Sequence, residues 1–343
     1  MCIRDSLKRY PQIDFLLLFG NVAGMRWGIV GHGSIAKTFM KAARGIGHSV
    51  DIVVGRDAER ASNFCESHDV PESSTDLLSL VGNVDAAYIA VPHSGHCSAA
   101  VPLLEASVPV LCEKPLAVNE SEVVKMIEAA KGTETFFMEA MWTRHLPVYK
   151  KVLSWLREGK VGRVTLVEAS FGFNAPYDPK SRLWNPDLAG GSLLDVGIYT
   201  LTLADLVYGG LPEEISAEAE LSPEGIDAHL GVLAKYPGGG LARLGSAINA
   251  AIGFSGKIVG TEGVIEIPFF WQAEKAALDS DSSSEEFSAP HEVNGFEYQI
   301  REVERCLGSG LTESEVVSFD WSVSMMRLMD QIRSQIGVVY PAD

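Results

Sequence analysis

Short apolar runs alternate with amphipathic stretches from residue 25 to residue 141. This alternation is typical of a parallel sheet covered by helices on both faces, because such strands are buried along their whole length. Strands are predicted at residues 26–30, 50–55, 86–91, 108–112 and 135–139, and helices at 35–44, 58–68, 75–80, 96–106 and 120–130. Asn119 is the expected N-cap of the last helix, and Glu122 is expected to close a capping box there.

The pattern changes after residue 142, where alternating apolar and polar positions become frequent. Helices are predicted at 146–158, 190–208, 296–307 and 320–336, and strands at 164–173, 214–221, 228–236, 241–246, 257–260 and 264–270. The later strands have the pattern of antiparallel pairs, and the segment from Gly260 to Gly263 has the turn residues of a tight hairpin. The loop at 174–188 is a candidate substrate rim, and the acidic run at 279–286 is expected to be a solvated surface loop.

These elements predict two domains of different class. Residues 25–141 are expected to form an α/β Rossmann domain with a doubly wound parallel sheet, and residues 142–343 an α+β domain with a mostly antiparallel open sheet. Because an open sheet leaves one apolar face to be covered, we expect a homodimer through that sheet. Residues 1–24 are expected to be a non-native or disordered leader, with the native fold beginning at Met25.

Composition narrows the classes of function. A formal net charge of -17 argues against a nucleic-acid surface, which needs clustered Lys and Arg. No apolar run approaches the roughly 20 residues of a spanning helix, so no membrane span is expected. The five cysteines are an odd number without C-x-x-C spacing, which favours neither a disulfide framework nor a zinc site and indicates a reducing cytoplasm.

A glycine turn follows the first predicted strand. Gly31 and Gly33 precede a predicted helix, and small Ala36 stands at the third position of a dinucleotide fingerprint. In this arrangement the backbone N–H groups of Ser34 and Ile35 can bind a pyrophosphate at the helix N-terminus. A tight structural connection between strand and helix is the alternative interpretation.

The end of the second predicted strand indicates which dinucleotide is bound. An acid at this place binds ribose hydroxyls, whereas an arginine can pair with a 2′-phosphate. Arg56 follows the strand and Arg60 lies one helical turn later, so the sequence favours NADP over NAD. The alternative is that Arg56 forms a weak surface ion pair with Asp57 or Glu59.

Two further places carry candidate chemistry. Lys114 comes directly after an apolar strand and before Pro115, at the sheet edge where ligands of open α/β sheets bind. A lysine in such a place can act in proton transfer. Asp195 and Tyr199 are four residues apart in a predicted helix and so share one face, although a buried pair that satisfies its own hydrogen bonds is the structural alternative. The glycine pair at 190–191 allows a close approach to the start of this helix.

With these motifs, the chain from Met25 onward resembles the glucose-fructose oxidoreductase and inositol dehydrogenase family, Gfo/Idh/MocA. The resemblance is carried by segments 31–36, 112–116 and 190–199. Within the family, segment 138–144 and the tyrosine at 199 look most like the dimeric dihydrodiol dehydrogenases and related NADP-dependent pyranose dehydrogenases. His32 departs from the smaller residue that this subgroup often has in the glycine turn.

The resemblance implies NADP-dependent hydride transfer at a carbinol carbon of a sugar or a cyclic trans-diol. It further implies that Lys114 and Tyr199 manage the proton and that Asp195 orients the substrate hydroxyl. The residues implied at the cofactor are Gly31, Gly33, Ser34, Ile35, Arg56, Arg60, His93, His96 and Glu113, and those implied at the substrate are Trp142, Arg144 and Phe171. No third metal ligand accompanies His93 and His96, so no metal is predicted.

Two alternatives to a dehydrogenase remain open. One is a non-catalytic NADP-binding sensor or regulatory protein of the same fold, which would not need Lys114, Asp195 and Tyr199 together. The other is a glycosidase that uses tightly held NAD in redox-assisted cleavage.

Overall fold

The structure is a computed structural model, and it describes residues 24–281 and 283–343. The predicted leader therefore lies, except for Gly24, outside the described residues. Two compact units are present. The N-terminal unit contains residues 24–142 and Glu292–Ser322, and the C-terminal unit contains Thr143–His291 and Val323–Asp343. The domain boundary placed after residue 141 stays a prediction.

The N-terminal unit has a parallel sheet of six strands in the order β3-β2-β1-β4-β5-β6, which confirms the predicted Rossmann class. The strands are β1 (Arg26–Val30), β2 (Ser49–Val54), β3 (Glu72–Ser74), β4 (Ala86–Ile89), β5 (Val110–Glu113) and β6 (Phe137–Ala140). The helices are α1 (Ser34–Gly45), α2 (Ala58–Ser67), α3 (His96–Glu105), α4 (Glu120–Gly132) and α7 (Glu297–Gly308). The strand order reverses between β1 and β4, which is where ligands bind in sheets of this kind.

The core of this unit explains why the apolar runs form strands. Every residue of β4, β5 and β6 is buried. Trp27, Phe39 and Tyr88 form an aromatic group at the centre, with the rings of Phe39 and Tyr88 stacked at 3.8 Å between centroids. Burial on both faces removes the alternation that a half-exposed strand would have.

The sequence correctly predicts the start of α4, but it predicts too long a helix near residue 75. Asn119 Oδ1 accepts the N–H of Glu122 at 3.0 Å, which confirms the predicted N-cap, and the Glu122 carboxylate accepts the N–H of Val118. The helix predicted at 75–80 is wrong in extent, because only a 3₁₀ turn at Leu77–Leu80 forms. Asp76 caps this turn by accepting the N–H of Leu78, and the short strand β3 precedes it.

The C-terminal unit has a sheet of eight strands in the order β14-β13-β12-β11-β7-β10-β9-β8, mostly antiparallel as predicted, with β7 and β10 parallel. The strands are β7 (Val164–Asn174), β8 (Glu214–Leu221), β9 (Asp227–Lys235), β10 (Leu241–Ala247), β11 (Asn249–Gly260), β12 (Gly263–Pro268), β13 (Lys275–Ser280) and β14 (Ser284–Ser288). The helices are α5 (Pro147–Arg157) and α6 (Ile198–Tyr208), and α8 (Phe319–Ile336) ends in this unit. The tight hairpin after Gly260 is confirmed, because β11 and β12 are joined by two residues.

The surface loop predicted at 279–286 is wrong, because β13 and β14 pair as an antiparallel hairpin across this run. Cationic and indole groups stabilise one of its acidic side chains, Glu285. Glu285 accepts hydrogen bonds from Trp155 Nε1 at 2.9 Å and from Lys160 Nζ at 3.2 Å. These contacts offset the charge of Glu285, and the local sequence alone does not reveal them.

Among the described residues, one helical stretch, Pro186–Tyr208, has the length and apolar composition of a membrane span. Its apolar window is 94% buried inside the structure. A helix that is apolar all round is also what the core of a globular domain needs, so the stretch is weak evidence for a span. Within this unit it brings the predicted catalytic segment against the sheet.

Candidate active site

The glycine turn after β1 forms an open helix start. Gly31 has φ +104°, and a Cβ on it would lie 2.5 Å from the carbonyl oxygen of Ala90, so only glycine is accommodated. Gly33 is the N-cap of α1, no side chain caps this helix, and a Cβ on Gly33 would have no neighbour within 4 Å. The first-turn N–H groups thus border free space, and they fit the pyrophosphate of a dinucleotide.

Arg56 and Arg60 are exposed where β2 ends and α2 begins. Asp57 caps α2 by accepting the backbone N–H of Arg60 at 3.0 Å. Neither guanidinium forms an ion pair with any residue that the structure describes, so the alternative of a surface pair with Asp57 or Glu59 is not what the structure contains. An arginine at this place can pair with a 2′-phosphate.

His32, the unusual residue of the glycine turn, lies against the end of β2. A Cβ on Gly55 would be 2.8 Å from the His32 ring, and the ring is tilted against Phe64 with 6.3 Å between centroids. The imidazole is therefore packed beside the turn and does not fill the space above Gly33.

Lys114 follows the last residue of β5 and is half-buried. Glu113, directly before it, is buried and accepts a hydrogen bond from the Tyr88 hydroxyl. The peptide bond between Lys114 and Pro115 is cis. The sequence thus correctly predicts a lysine at the carboxyl end of a buried strand, whereas the cofactor contact of Glu113 stays a prediction.

His96 connects two strand ends in the N-terminal unit. It is fully buried, with Nδ1 2.9 Å from the carbonyl oxygen of Pro115 and Nε2 3.0 Å from that of Val91. Burial is the largest influence on its pKa, which is lowered, so the ring is neutral. His93 packs edge-on at 5.8 Å. The cofactor contacts of both histidines stay predictions, and the contacts of the His96 nitrogens are with backbone.

A buried carboxyl group that sequence reasoning missed lies beside Lys114. Glu139, in β6, is 3% exposed, and its carboxylate accepts the N–H of Leu116 at 3.0 Å and the Ser322 hydroxyl at 2.6 Å. Burial raises its pKa to about 7. The only sequence signal for it is a glutamate in the apolar run 135–141.

In the C-terminal unit, the predicted helix at 190–208 begins as a π-helical turn, Leu193–Gly197, and continues as α6. The glycine pair before this turn allows another group to pack closely against it, as predicted. That group belongs to a distant segment of the same chain. A Cβ on Gly191, which has φ +119°, would lie 2.3 Å from Asp227 Oδ1. π-Helical turns are frequent at functional sites.

Asp227 holds the start of this turn. It is fully buried, and its Oδ2 accepts the N–H of Leu193 at 2.6 Å and the Ser192 hydroxyl at 2.8 Å. Burial raises its pKa to about 6. Sequence reasoning missed Asp227, because 34 residues separate it from Leu193.

Asp195 lies inside the π-helical turn and is 7% exposed. Its Oδ1 accepts a hydrogen bond from the Arg182 guanidinium at 2.8 Å, and the Arg182 side chain is 55% exposed. Arg182 belongs to the loop that was predicted as a substrate rim, but the residue itself was not predicted. The loop therefore brings a solvent-accessible cation to the predicted substrate-orienting carboxylate.

Tyr199, in α6, is buried against aromatic rings. Its ring lies 5.6 Å from that of Phe171, and Phe171 packs at 4.2 Å against Trp271. Phe171 was predicted to line the substrate pocket, whereas Trp271 was missed although it ends an aromatic run at 269–271. These rings give the phenol an apolar setting.

The two other predicted substrate residues have different surroundings. Trp142, in the N-terminal unit, lies 4.8 Å from the ring of Phe296. Arg144, in the C-terminal unit, is buried and donates to Asp205 at 2.6 Å. Their substrate contacts stay predictions, and the partner of Arg144 in the structure, Asp205, belongs to the same unit.

Two family models match the chain. One, described as an oxidoreductase family with an NAD-binding Rossmann fold, matches residues 25–141, and the other, the Gfo/Idh/MocA C-terminal domain, matches residues 149–266. The trans-1,2-dihydrobenzene-1,2-diol dehydrogenase of Sus scrofa is 35% identical over 333 residues, which are 93% of this chain and 99% of that protein. The enzyme of the same name from Xenopus laevis is 33% identical over 331 residues, covering 92% and 99%.

Solved structures show the same fold at lower identity. The aldose-aldose oxidoreductase of Caulobacter crescentus, in complex with glycerol, has a TM-score of 0.82 and 23% identity, covering 91% of this chain and 97% of that one. A 3-ketoreductase of Actinomadura kijaniata, in complex with NADP and TDP-benzene, has a TM-score of 0.82 and 23% identity, covering 91% and 98%.

Proposed function

The chain belongs to the Gfo/Idh/MocA oxidoreductase family, and on that premise we propose that it is an NADP-dependent dehydrogenase of a cyclic trans-diol or an aldopyranose. The observation that carries the proposal is the identity of 33% to 35% with trans-dihydrobenzenediol dehydrogenases over nearly the whole of both chains. The open start of α1 supports it, because it offers the N–H groups that a dinucleotide pyrophosphate needs.

In the proposed reaction, a bound nicotinamide supplies the acceptor or donor of hydride. The protein must move the hydroxyl proton, and we assign this step to Tyr199, acting as a phenolate. Asp195, held by Arg182, would accept a hydrogen bond from a substrate hydroxyl and so fix its direction. Lys114, which the family resemblance implies in the same step, would supply positive charge for the proton transfer. Phe171 and Trp271 would exclude water from the substrate.

The proposal is tested by following nicotinamide absorbance over a panel of cyclic trans-diols and aldopyranoses, with NADP and with NAD. We expect turnover with at least one member of the panel. Binding of NADP without turnover on any member would instead favour the sensor or regulatory protein. A dinucleotide that stays bound through desalting, together with cleavage of glycosides, would favour the redox glycosidase.

We expect the Arg56→Ala variant to lose its preference for NADP. Removal of a charge-assisted hydrogen bond to a 2′-phosphate should lower kcat/KM for NADP by about 10- to 100-fold and leave kcat/KM for NAD within about threefold. Steady-state kinetics with both cofactors measure this. Lys41→Ala, which removes an exposed cation from α1, is the matched control. Equal losses with both cofactors would contradict the assignment of Arg56.

We also propose a homodimer through the open face of the C-terminal sheet. Four neighbouring strands place Arg243, Glu168, Lys257 and Glu266 in one row across this face, with alternating charge. A twofold rotation reverses the order of such a row, so each charge then faces its opposite on a second copy. Leu233, paired with Arg243 on the same face, is 53% exposed and supplies apolar area.

The dimer predicts that light scattering gives twice the chain mass for the native protein and the single chain mass for the Leu233→Lys variant. A lysine at this place would be buried without a partner in the interface, which costs several kcal/mol. Leu78→Lys, at a leucine that is 50% exposed in the N-terminal unit, is the control and should remain dimeric. A native protein with the mass of one chain, or a dimeric Leu233→Lys variant, would refute this interface.

A further inference from the structure

The peptide group that joins Pro115 to Leu116, directly after Lys114, has a buried side chain at each of its polar ends. Its N–H donates to the Glu139 carboxylate at 3.0 Å. Its carbonyl oxygen lies 2.9 Å from His96 Nδ1. We call residues Lys114, Pro115 and Leu116 the lysine turn. The hydrogen bond to Glu139 and the contact of the carbonyl group with the buried His96 ring restrict rotation of this peptide, so the backbone that carries Lys114 is restrained.

Glu139 is itself fixed at its second oxygen. Oε2 accepts the Ser322 hydroxyl at 2.6 Å, and the residue is 3% exposed. A buried carboxylate that accepts two hydrogen bonds from different segments has one geometry. The side chain therefore connects β6, the lysine turn and the start of α8 inside the N-terminal unit.

The charges around Glu139 set its response to pH. Burial is the largest influence and raises its pKa to about 7, and the neighbouring carboxylate of Glu113 adds to this rise. The Ser322 hydroxyl, the Leu116 N–H and the Lys114 ammonium lower the pKa. On the side of β5, the Cys112 thiol also faces the carboxyl group, and its own pKa is raised, so it stays neutral.

We propose that Glu139 is a positioning residue that holds the lysine turn in place and favours the charged form of Lys114. This inference rests on the proposed role of Lys114 in the dehydrogenase reaction. It adds a group that acts through the backbone and the charge of Lys114.

The proposal predicts the direction in which turnover changes with pH. As the pH falls through about 7, Glu139 takes up a proton, its bond to the Leu116 N–H loses charge assistance, and Lys114 loses a nearby negative charge. Turnover should therefore decrease on the acid side of about 7 in the native protein. In the Glu139→Gln variant this dependence should disappear, because the amide still accepts the Leu116 N–H but does not titrate.

The first test needs no catalytic activity. The native protein and the Glu139→Gln variant are treated with a small amine-reactive reagent at a series of pH values. Mass spectrometry measures the extent of Lys114 modification at each pH. The midpoint for Lys114 should move to lower pH by about one unit in the variant, because an adjacent negative charge is lost. Glu128→Gln, at an exposed glutamate of α4, should leave the midpoint unchanged. An unchanged midpoint in Glu139→Gln would overturn the electrostatic part of the proposal.

The second test separates kcat from KM. Glu139→Met removes the acceptor of the Leu116 N–H, so kcat should fall about 10- to 100-fold while KM for NADP stays within about threefold. Glu139→Gln should keep kcat within about fivefold of the native value above pH 8. Native kcat in Glu139→Met would overturn the positional part. If Glu139→Met fails to fold, the pH dependence of turnover in Glu139→Gln tests the proposal instead. Loss of the decrease below about pH 7 supports it, and persistence of that decrease overturns it.

A failure of the Glu139 proposal can be distinguished from a failure of the proposed dehydrogenase function. If the native protein turns over no substrate, the dehydrogenase proposal fails, whereas the Lys114 modification curves still report on Glu139. If Lys114→Met is as active as the native protein but the curves shift, Glu139 positions a lysine that has no part in catalysis, and the proposed role of Glu139 in the reaction is overturned.

Discussion

Replacement of Lys114 by methionine is expected to lower kcat by about 10³-fold and to leave the dissociation constant of NADPH within about threefold. Methionine keeps most of the length of the aliphatic stem and removes only the ammonium. The lysine turn is held through backbone groups by Glu139 and His96, so its geometry should survive the change. The loss then measures the charge of Lys114 in the proton transfer step.

Two measurements check this expectation, namely steady-state kcat and binding of NADPH followed by its fluorescence. Lys125→Met, at an exposed lysine of α4, is the matched control and should keep native kcat. A Lys114→Met enzyme with kcat within about tenfold of the native value would exclude a catalytic role for this residue. A parallel loss of kcat and of NADPH affinity would instead indicate that Lys114 binds the cofactor.

The parallel sheet could be predicted because its signals are local. Each central strand is a short and mostly apolar run, because it is buried on both faces, and the charged exceptions are Glu113 and Glu139. The glycine turn, the Asn119 cap and the Gly260 hairpin are local in the same sense, since their chemistry is contained in a few consecutive residues. Burial of a strand and the start of a helix therefore follow directly from the sequence.

The unpredicted features depend on partners that are distant in sequence. The Glu72–Ser74 strand is polar and is specified by its neighbour β2, and the acidic hairpin depends on Trp155 and Lys160. Glu139 and Leu116 are 23 residues apart, and Arg182 reaches Asp195 from an irregular loop. No periodicity or motif encodes these pairs, so only the folded chain reveals them.

Both units hold their predicted catalytic segment in the same physical way. In the N-terminal unit, Glu139 accepts the N–H of Leu116 and a serine hydroxyl, and in the C-terminal unit Asp227 accepts the N–H of Leu193 and the Ser192 hydroxyl. In each case burial raises the pKa of the carboxyl group, to about 7 and about 6. A carboxylate that replaces water as the partner of a buried N–H makes the segment rigid, which favours preorganised chemistry.

Replacement of Tyr199 by phenylalanine is the change expected to affect chemistry most with the least effect on structure. The ring remains packed against Phe171, so the thermal midpoint should stay within about 4 °C of the native value. The hydroxyl that we assign to proton transfer is removed, so kcat should fall by about 10³-fold with little change in NADPH binding.

The matched control is Tyr208→Phe, because Tyr208 lies at the other end of α6 and its hydroxyl donates to the carbonyl oxygen of Leu241 at 2.8 Å. It should leave kcat unchanged. The Tyr199→Phe result also separates the two explanations of the Asp195 and Tyr199 spacing. If the tyrosine hydroxyl serves only the packing of α6, its loss lowers the thermal midpoint and spares kcat, whereas a proton acceptor shows the reverse. A stable variant with native turnover would assign the proton to another group and leave Tyr199 as part of the aromatic wall with Phe171.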